Sequence, residues 1–383
     1  MSYIGARRRE RAGCSAPVDR GNRGQRALSS TDAPTASTAA PATLRNRLAA
    51  AALESVVRGI QVLPRAVAYG LADLLAPLLA LSARLHDRWL RDERNTRKAR
   101  KTLRGTVHNQ RIVYREALTP ERGRRLLRDW ARHILRLVVE LARLPNIDRE
   151  NLERYADVSD LDTIRPIVKD GAGLICVTGH IGAWEMCGHL ASLCGITVTV
   201  VSRPVSNPLV QDLVTRIRTS GGQKVLSKWG VVWSLKKALD RGEVLGLVAD
   251  ENTRERPIFA PFLGTMAATI STPAALHRST GVPIAVVTCH RVAPERFELR
   301  VWDIIRHPKT DDRDADLLAI THRMNDALSR AILHAPDQWF WGSRRFVTRP
   351  PGEQLGPDGL PPRAHDLDRY GDHGSLSSGR GGA

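Results

Sequence analysis

Cysteine is scarce in this 383-residue chain: five residues, Cys14, Cys176, Cys187, Cys194 and Cys289, none in a CxxC pair. That scattered, odd set excludes a disulfide framework and a structural zinc site, and it fits a reducing compartment. Aromatic residues make up 5% of the chain. No RNP-like aromatic motif, zinc-finger spacing or basic zipper is present. Acids are few beside the cations, 40 against 58, for a formal charge of +18. There is no G-x-S-x-G elbow, which argues against a serine hydrolase. The N-terminal arginines are not followed by an apolar run, so no secretory signal is expected. Internal repeats are absent.

What is present is an apolar fraction of 42%, enough for a sizeable core and too much for a wholly disordered chain. The length suits two or three domains or one large one. Residues 1–42, rich in Arg, Ser, Ala, Pro and Gly, read as a disordered basic tail of about +4. Residues 351–383, rich in Gly, Pro and Asp, read as a second disordered tail of about −2. Roughly +16 therefore stays on the body between them, which seeks polyanions such as nucleic acid, anionic lipid headgroups or acidic carrier proteins.

Residues 43–155 read as a helical section. Leu126, Leu127, Trp130, Ile134, Leu137, Val138 and Leu141 recur at helical spacing, with the arginines between Arg122 and Arg136 largely off that stripe as a solvated face. A less polar stretch runs from Ala66 to Ala83, interrupted by Gly70, Asp73 and Pro77. Its length is about the minimum for a membrane span. Asp73 at its centre would cost about 2.5–3.5 kcal/mol in hydrocarbon. Arg65 and Arg84 flank it, and a cationic run from Arg88 to Lys101 follows. Two readings stand: an amphipathic helix buried in the protein, or a membrane-associating segment with a basic cytoplasmic shoulder.

Residues 156–350 read as α/β. Short apolar runs at 173–178, 196–202, 243–249, 282–289 and 297–304 predict strands. They alternate with predicted helices at 183–193, 208–219, 231–240, 272–280 and 315–333. Asn207 suits the cap of the helix starting at Pro208, and Cys187 and Cys194 share a helix face as core thiols.

The most informative segment is Val177-Thr-Gly-His-Ile-Gly-Ala-Trp-Glu185. A buried strand ends, a glycine turn carries His180, and a helix begins. Catalytic residues of open α/β sheets favour that edge. The spacing lets the Glu185 carboxylate fold back on the imidazole, fix its tautomer and leave the other nitrogen as a general base. His-x4-acid alone is a weak pattern. His290/Glu295 and His307/Asp312 repeat it, but only His180 has strand, turn and helix together. The competing reading of His180 is a satisfied histidine beneath a helix N-terminus.

From about Leu63 to Gly352 the chain resembles the bacterial lipid A biosynthesis (lauroyl/myristoyl) acyltransferases, within the lysophospholipid acyltransferase superfamily. Four blocks in order carry the resemblance: HIGAWE at His180–Glu185; SRPVSNP at Ser202–Pro208; GLVAD ending at Asp250, with APFLG ending at Gly264; and PDQWFW at Pro336–Trp341, with Arg344, Arg345 and Phe346. Ala183, Glu251 and Ser343 depart from the family's Asn, Gln and His. The resemblance implies a mixed sheet flanked by helices, as in glycerolipid acyltransferases, behind a helical membrane-associating section. It implies O-acyl transfer from acyl carrier protein or acyl coenzyme A to a hydroxyl of a phosphorylated glycolipid or lysophospholipid. The catalytic pair would be His180 and Glu185, with Arg203, Asp250, Arg344 and Arg345 on substrate. Asp250 is also read as ordering Arg203 or its loop, or merely capping its strand. No cofactor, metal or nucleic acid is implied. The implied location is the cytoplasmic face of a bacterial inner membrane. The alternative left by the charge is a basic membrane- or nucleic-acid-binding protein without catalysis.

Overall fold

Four helices open the described chain in the computed structural model, which describes residues 43–90, 104–227 and 231–370. They are α1 (Leu44–Val62), α2 (Arg65–Leu90), α3 (Arg104–Tyr114) and α4 (Pro120–Arg143). The expected basic tail 1–42, the cations from Arg91 to Lys101 and residues 371–383 lie outside the described residues. Capping is local: Thr43 Oγ1 accepts from Asn46 N and Thr119 Oγ1 from Arg122 N, each at 3.2 Å. Pro120 opens α4, where its missing N–H leaves no bond unmade.

α2 has two apolar faces of different size. Ala68, Tyr69, Ala72, Ala76, Ala80 and Ala83 are buried, whereas Val67, Leu71, Leu74, Leu75, Leu78, Leu81 and Leu85 are exposed. The small face lets α2 lie close against α4. Arg65–Leu85, 21 residues with mean hydropathy 1.7, is long and apolar enough to cross a membrane, a test that a core helix also passes. Asp73 is not left bare within it, since Arg136 Nε and Nη2 donate to its two oxygens at 2.8 and 2.6 Å. Two expectations for α4 change accordingly. Arg136 belongs to a helix contact instead of a solvated face, and Val138, placed on the apolar stripe, is exposed.

Beyond α5 (Leu152–Tyr155), β1 (Ala156–Asp157) and α6 (Arg165–Lys169), strands and helices alternate. They are β2 (Leu174–Thr178), α7 (Trp184–Leu193), β3 (Val198–Ser202), α8 (Pro208–Thr219), β4 (Lys224–Ser227), α9 (Val231–Asp240) and β5 (Val244–Val248). A hairpin of β6 (Ile258–Phe262) and β7 (Thr265–Thr269) follows, then α10 (Thr272–Thr280), β8 (Ile284–Ala293), β9 (Arg296–Ile305) and α11 (Arg313–His334). The main sheet has the order β1-β9-β8-β2-β5-β3-β4, parallel except where β8 meets β9. It is the expected mixed sheet flanked by helices.

This order sets the site. β2 and β5 are neighbours in register, Thr178 opposite Val248, so the segments leaving their carboxyl ends emerge side by side. β3 adjoins β5 and brings its exit to the same edge.

The hairpin was not among the expected strands, because its runs are short and one contains Pro261. Its two-residue loop has Leu263 at φ 48° and Gly264 at φ 74°, the geometry that matches strand twist. A Cβ on Gly264 would lie 2.7 Å from the His365 carbonyl oxygen. The second tail also needs correction up to Tyr370. Leu360 and Tyr370 are buried, Ala364 N donates to Gly264 O at 2.8 Å, and Arg115 pairs with Asp358 at 3.1 Å. Two apolar anchors in a Gly/Pro-rich stretch hold it to the body.

Candidate active site

His180 stands just beyond β2, on a loop held from below and from the side. Gly182 (φ 59°) passes so close to β8 that a Cβ would lie 2.0 Å from the Cys289 carbonyl oxygen. Ala183 N donates to that same oxygen at 2.7 Å. Gly182 N donates to Gln338 O at 2.8 Å, and Phe340 N donates to His180 O at 2.9 Å. The PDQWFW segment thus clamps the HIGAWE segment strand-fashion. Trp339 and Trp341 are fully buried and belong to the core.

The carboxylate on His180 is Asp250, not Glu185. His180 Nδ1 donates to Asp250 Oδ1 at 2.9 Å, and His180 N donates to Oδ2 at 2.8 Å. Trp339 Nε1 also donates to Oδ2, at 2.9 Å. Asp250 is fully buried, yet these donors hold its carboxyl below the usual carboxylate range. Burial pulls the His180 imidazole down, but the charge and hydrogen bond of Asp250 outweigh it and raise the pKa, with Glu251 and Glu185 adding. The His180 side chain keeps 23% of its surface exposed, and Nε2 has no partner among the described residues. Trp184 packs edge-on against the ring, 5.0 Å between centroids.

Glu185 turns elsewhere. Arg218, on the last turn of α8, donates to both of its oxygens, at 2.9 Å through Nε, and to Ser202 Oγ at 2.7 Å. The expected fold-back of Glu185 onto the imidazole is therefore replaced by a bidentate pair with Arg218. That pair ties the start of α7 to the end of β3. Asp250, expected on substrate, on Arg203 or as a cap, is instead the residue that orients His180.

The four cations and acids assigned to substrate separate cleanly. Arg203 follows β3 and is exposed, its guanidinium without a partner among the described residues; the Arg344 guanidinium is exposed in the same way. Arg345 has no exposed surface. Its guanidinium donates to Ala268 O at 2.7 Å, Thr269 Oγ1 at 2.7 Å and Glu251 O at 3.1 Å, and lies 4.4 Å from the Phe262 ring centre. Burial lowers its pKa to about 10. The expectation that Arg345 meets a phosphate is thus corrected: the guanidinium is enclosed, with its terminal nitrogens donating to the hairpin and to Glu251 O. Phe262 is likewise interior packing. Asn207 caps α8 as expected, accepting from Leu209 N at 3.1 Å.

The rival His-x4-acid pairs dissolve on inspection of their partners. His290 is buried against Thr288 while Glu295 pairs with Arg143. His307 reaches Asp316 at 3.2 Å while Asp312 caps α11. Two participants escaped the sequence reading, Arg218 and Trp339 as the indole donor to Asp250. Each lies far along the chain from its partner, and no motif spacing announces either contact.

Residues 109–348 match the family described as bacterial lipid A biosynthesis acyltransferase. Among curated relatives, the lipid A biosynthesis palmitoleoyltransferase of Escherichia coli K12 is 28% identical over 208 residues, 53% of this chain and 65% of that protein. The phosphatidylinositol mannoside acyltransferase of Mycolicibacterium smegmatis is 27% identical over 205 residues, covering 52% and 65%. The lipid A biosynthesis lauroyltransferase of E. coli K12 is 26% identical over 204 residues, with the same coverage. The aligned stretch thus spans about two-thirds of the length of each of these relatives.

Proposed function

The chain belongs to the bacterial lipid A biosynthesis acyltransferase family, and from that premise we propose that it moves a fatty acyl chain from an acyl thioester to a lipid hydroxyl. The observation that carries the reading is His180, oriented through Nδ1 by buried Asp250, with Nε2 open at the carboxyl edge of the sheet. The donor is acyl carrier protein or acyl coenzyme A. The acceptor is a phosphorylated glycolipid or lysophospholipid in the cytoplasmic face of a bacterial inner membrane, against which the leucine face of α2 rests.

The chemistry needs no covalent enzyme intermediate. Nε2 takes the proton of the acceptor hydroxyl as its oxygen attacks the thioester carbonyl. Asp250 stabilises the imidazolium that forms. The tetrahedral oxyanion is met by first-turn amides of α7, those of Trp184 and Glu185, at the positive end of the helix dipole. The intermediate collapses, the thiolate leaves, and it takes the proton back from Nε2. Glu185 acts through Arg218, whose guanidinium it holds against Ser202 at the end of β3. Arg203 grips the acceptor phosphate, a role that suits a guanidinium with no protein partner; Arg344 adds a second exposed cation.

The test is mass spectrometry of purified wild type and His180→Ala, each offered acyl carrier protein and coenzyme A thioesters with a panel of hydroxylated lipids. A new acyl lipid from the wild type alone, at least a thousandfold above the variant, is the expected result. Equal product from the variant would end the mechanism, and intact thioesters with both proteins would favour a non-catalytic membrane-binding protein.

A further inference from the structure

The helical section borders a cavity, none of whose lining residues belongs to the site above. It measures about 470 Å³ and lies between α3, the first turn of α4 and the turn at Asp358–Leu360. Arg84, Arg111, Arg115 and Arg124 line it against two carboxylates, Glu116 and Asp358. Asp358 is already paired with Arg115, and Arg84, Arg111 and Arg124 make no ion pair among the described residues. The positive end of the 24-residue α4 also faces it, through Thr119, Pro120 and Gly123.

A helix end and surface arginines would not alone make a site. The independent observation is Gln110. It is 1% exposed, it lines the cavity, and its Nε2 has no acceptor. Arg115 Nε, enclosed on the same wall, lacks one as well. Buried donors are nearly always satisfied. Two donors without acceptors beside unpaired guanidinium groups ask for a compact group with several acceptor oxygens and negative charge.

We propose that this cavity binds the phosphate of an anionic glycerophospholipid. The phosphate chemistry follows from the donors and the excess of cations. The lipid source follows from position: the exposed leucines of α2 run to Leu85, and Arg84, beside the end of that face, lines the cavity. Leu118, Leu127 and Leu360 supply an apolar wall for the glycerol ester beyond the phosphate. Only the lipid source rests on the membrane reading above; the phosphate site does not.

The experiment titrates the full chain, in uncharged detergent, with short-chain dihexanoyl phosphatidylglycerol, dihexanoyl glycerol and inorganic phosphate, by calorimetry. The wild type binds the phosphatidylglycerol probe. Binding weakens at least tenfold in the Arg111→Glu/Arg124→Glu double variant, whose side chains are exposed, and in Gln110→Leu. If Gln110→Leu fails to fold, the arginine variant decides alone. An affinity within twofold of wild type in the arginine variant overturns the site, as does equal binding of dihexanoyl glycerol. Inorganic phosphate binding as tightly as the lipid probe overturns the lipid source; phosphate binding at least tenfold more weakly supports it. His180→Ala keeps its affinity for the probe. Loss of acyl transfer thus tests the function proposed above, and loss of probe binding tests this cavity.

Discussion

At the carboxyl edge of β2, His180 makes one hydrogen bond through Nδ1 and leaves Nε2 open. Between α4 and β8, by contrast, a buried charged cluster is nearly closed. Arg291 donates to both oxygens of Glu140, Tyr69 OH donates to Glu140 at 2.9 Å, and Arg291 Nη1 donates to His133 Nδ1 at 3.1 Å. Burial, with Arg291 beside it, pushes the His133 pKa far down, so this imidazole stays neutral and accepts. The two histidines differ in what surrounds them. His133 faces a cation and serves structure, joining the helical section to the sheet. His180 faces a carboxylate, gains basicity and keeps Nε2 without a partner among the described residues. In this protein a histidine's role follows from the sign of its partner and from what is left unsatisfied, not from burial alone.

The comparison breaks or sharpens through four substitutions. Asp250→Asn carries the largest expected effect, about a 10²- to 10⁴-fold fall in kcat without loss of fold. It also has a signed pH dependence. Asp250 raises the His180 pKa, and the base must be deprotonated, so the wild-type rate falls as pH drops through that raised value. In Asp250→Asn the acid limb moves to lower pH. A limb that stayed in place in the kcat/KM profile would remove Asp250 from the mechanism. Next, Glu140→Ala strands the Arg291 guanidinium and costs about 3–5 kcal/mol in urea unfolding. The fraction that stays folded keeps its rate. A cost below about 1 kcal/mol would mean that the cluster adds little to stability.

Arg203→Ala sits third. It raises acceptor KM by about tenfold, as expected for one charged hydrogen bond, and leaves the KM for the acyl thioester unchanged. An unchanged KM would take the phosphate role from Arg203. Last, Leu74→Ser/Leu78→Ser on the open face of α2 moves stability by no more than about 0.5 kcal/mol, since neither side chain is packed. Flotation with anionic vesicles should drop several-fold. Unchanged flotation would leave the α2 leucines without a membrane role.

Much of the site was legible because it is local. His180 sits in a strand-turn-helix signature whose parts lie within nine residues, and the five expected strands lie within a few residues of the observed ones. The pairings were not legible. His180 and Asp250 are 70 residues apart and meet only because β2 and β5 are adjacent in the sheet. Glu185, at the spacing that suggested it, is drawn away by Arg218, whose bidentate geometry a sequence does not announce.

Arg344 and Arg345 show the same division within two residues. Composition treats them alike, but one is exposed and the other is enclosed under the hairpin. By itself the sequence determined the class of fold, the strand-turn-helix that carries His180 at the carboxyl edge of the sheet, and the family, because apolar period, turn residues and motif blocks are short-range properties. Only the tertiary structure decided which carboxylate meets His180, which arginines stay exposed and which charges are walled into the core. Those depend on strand order and on the desolvation of groups brought together from distant parts of the chain.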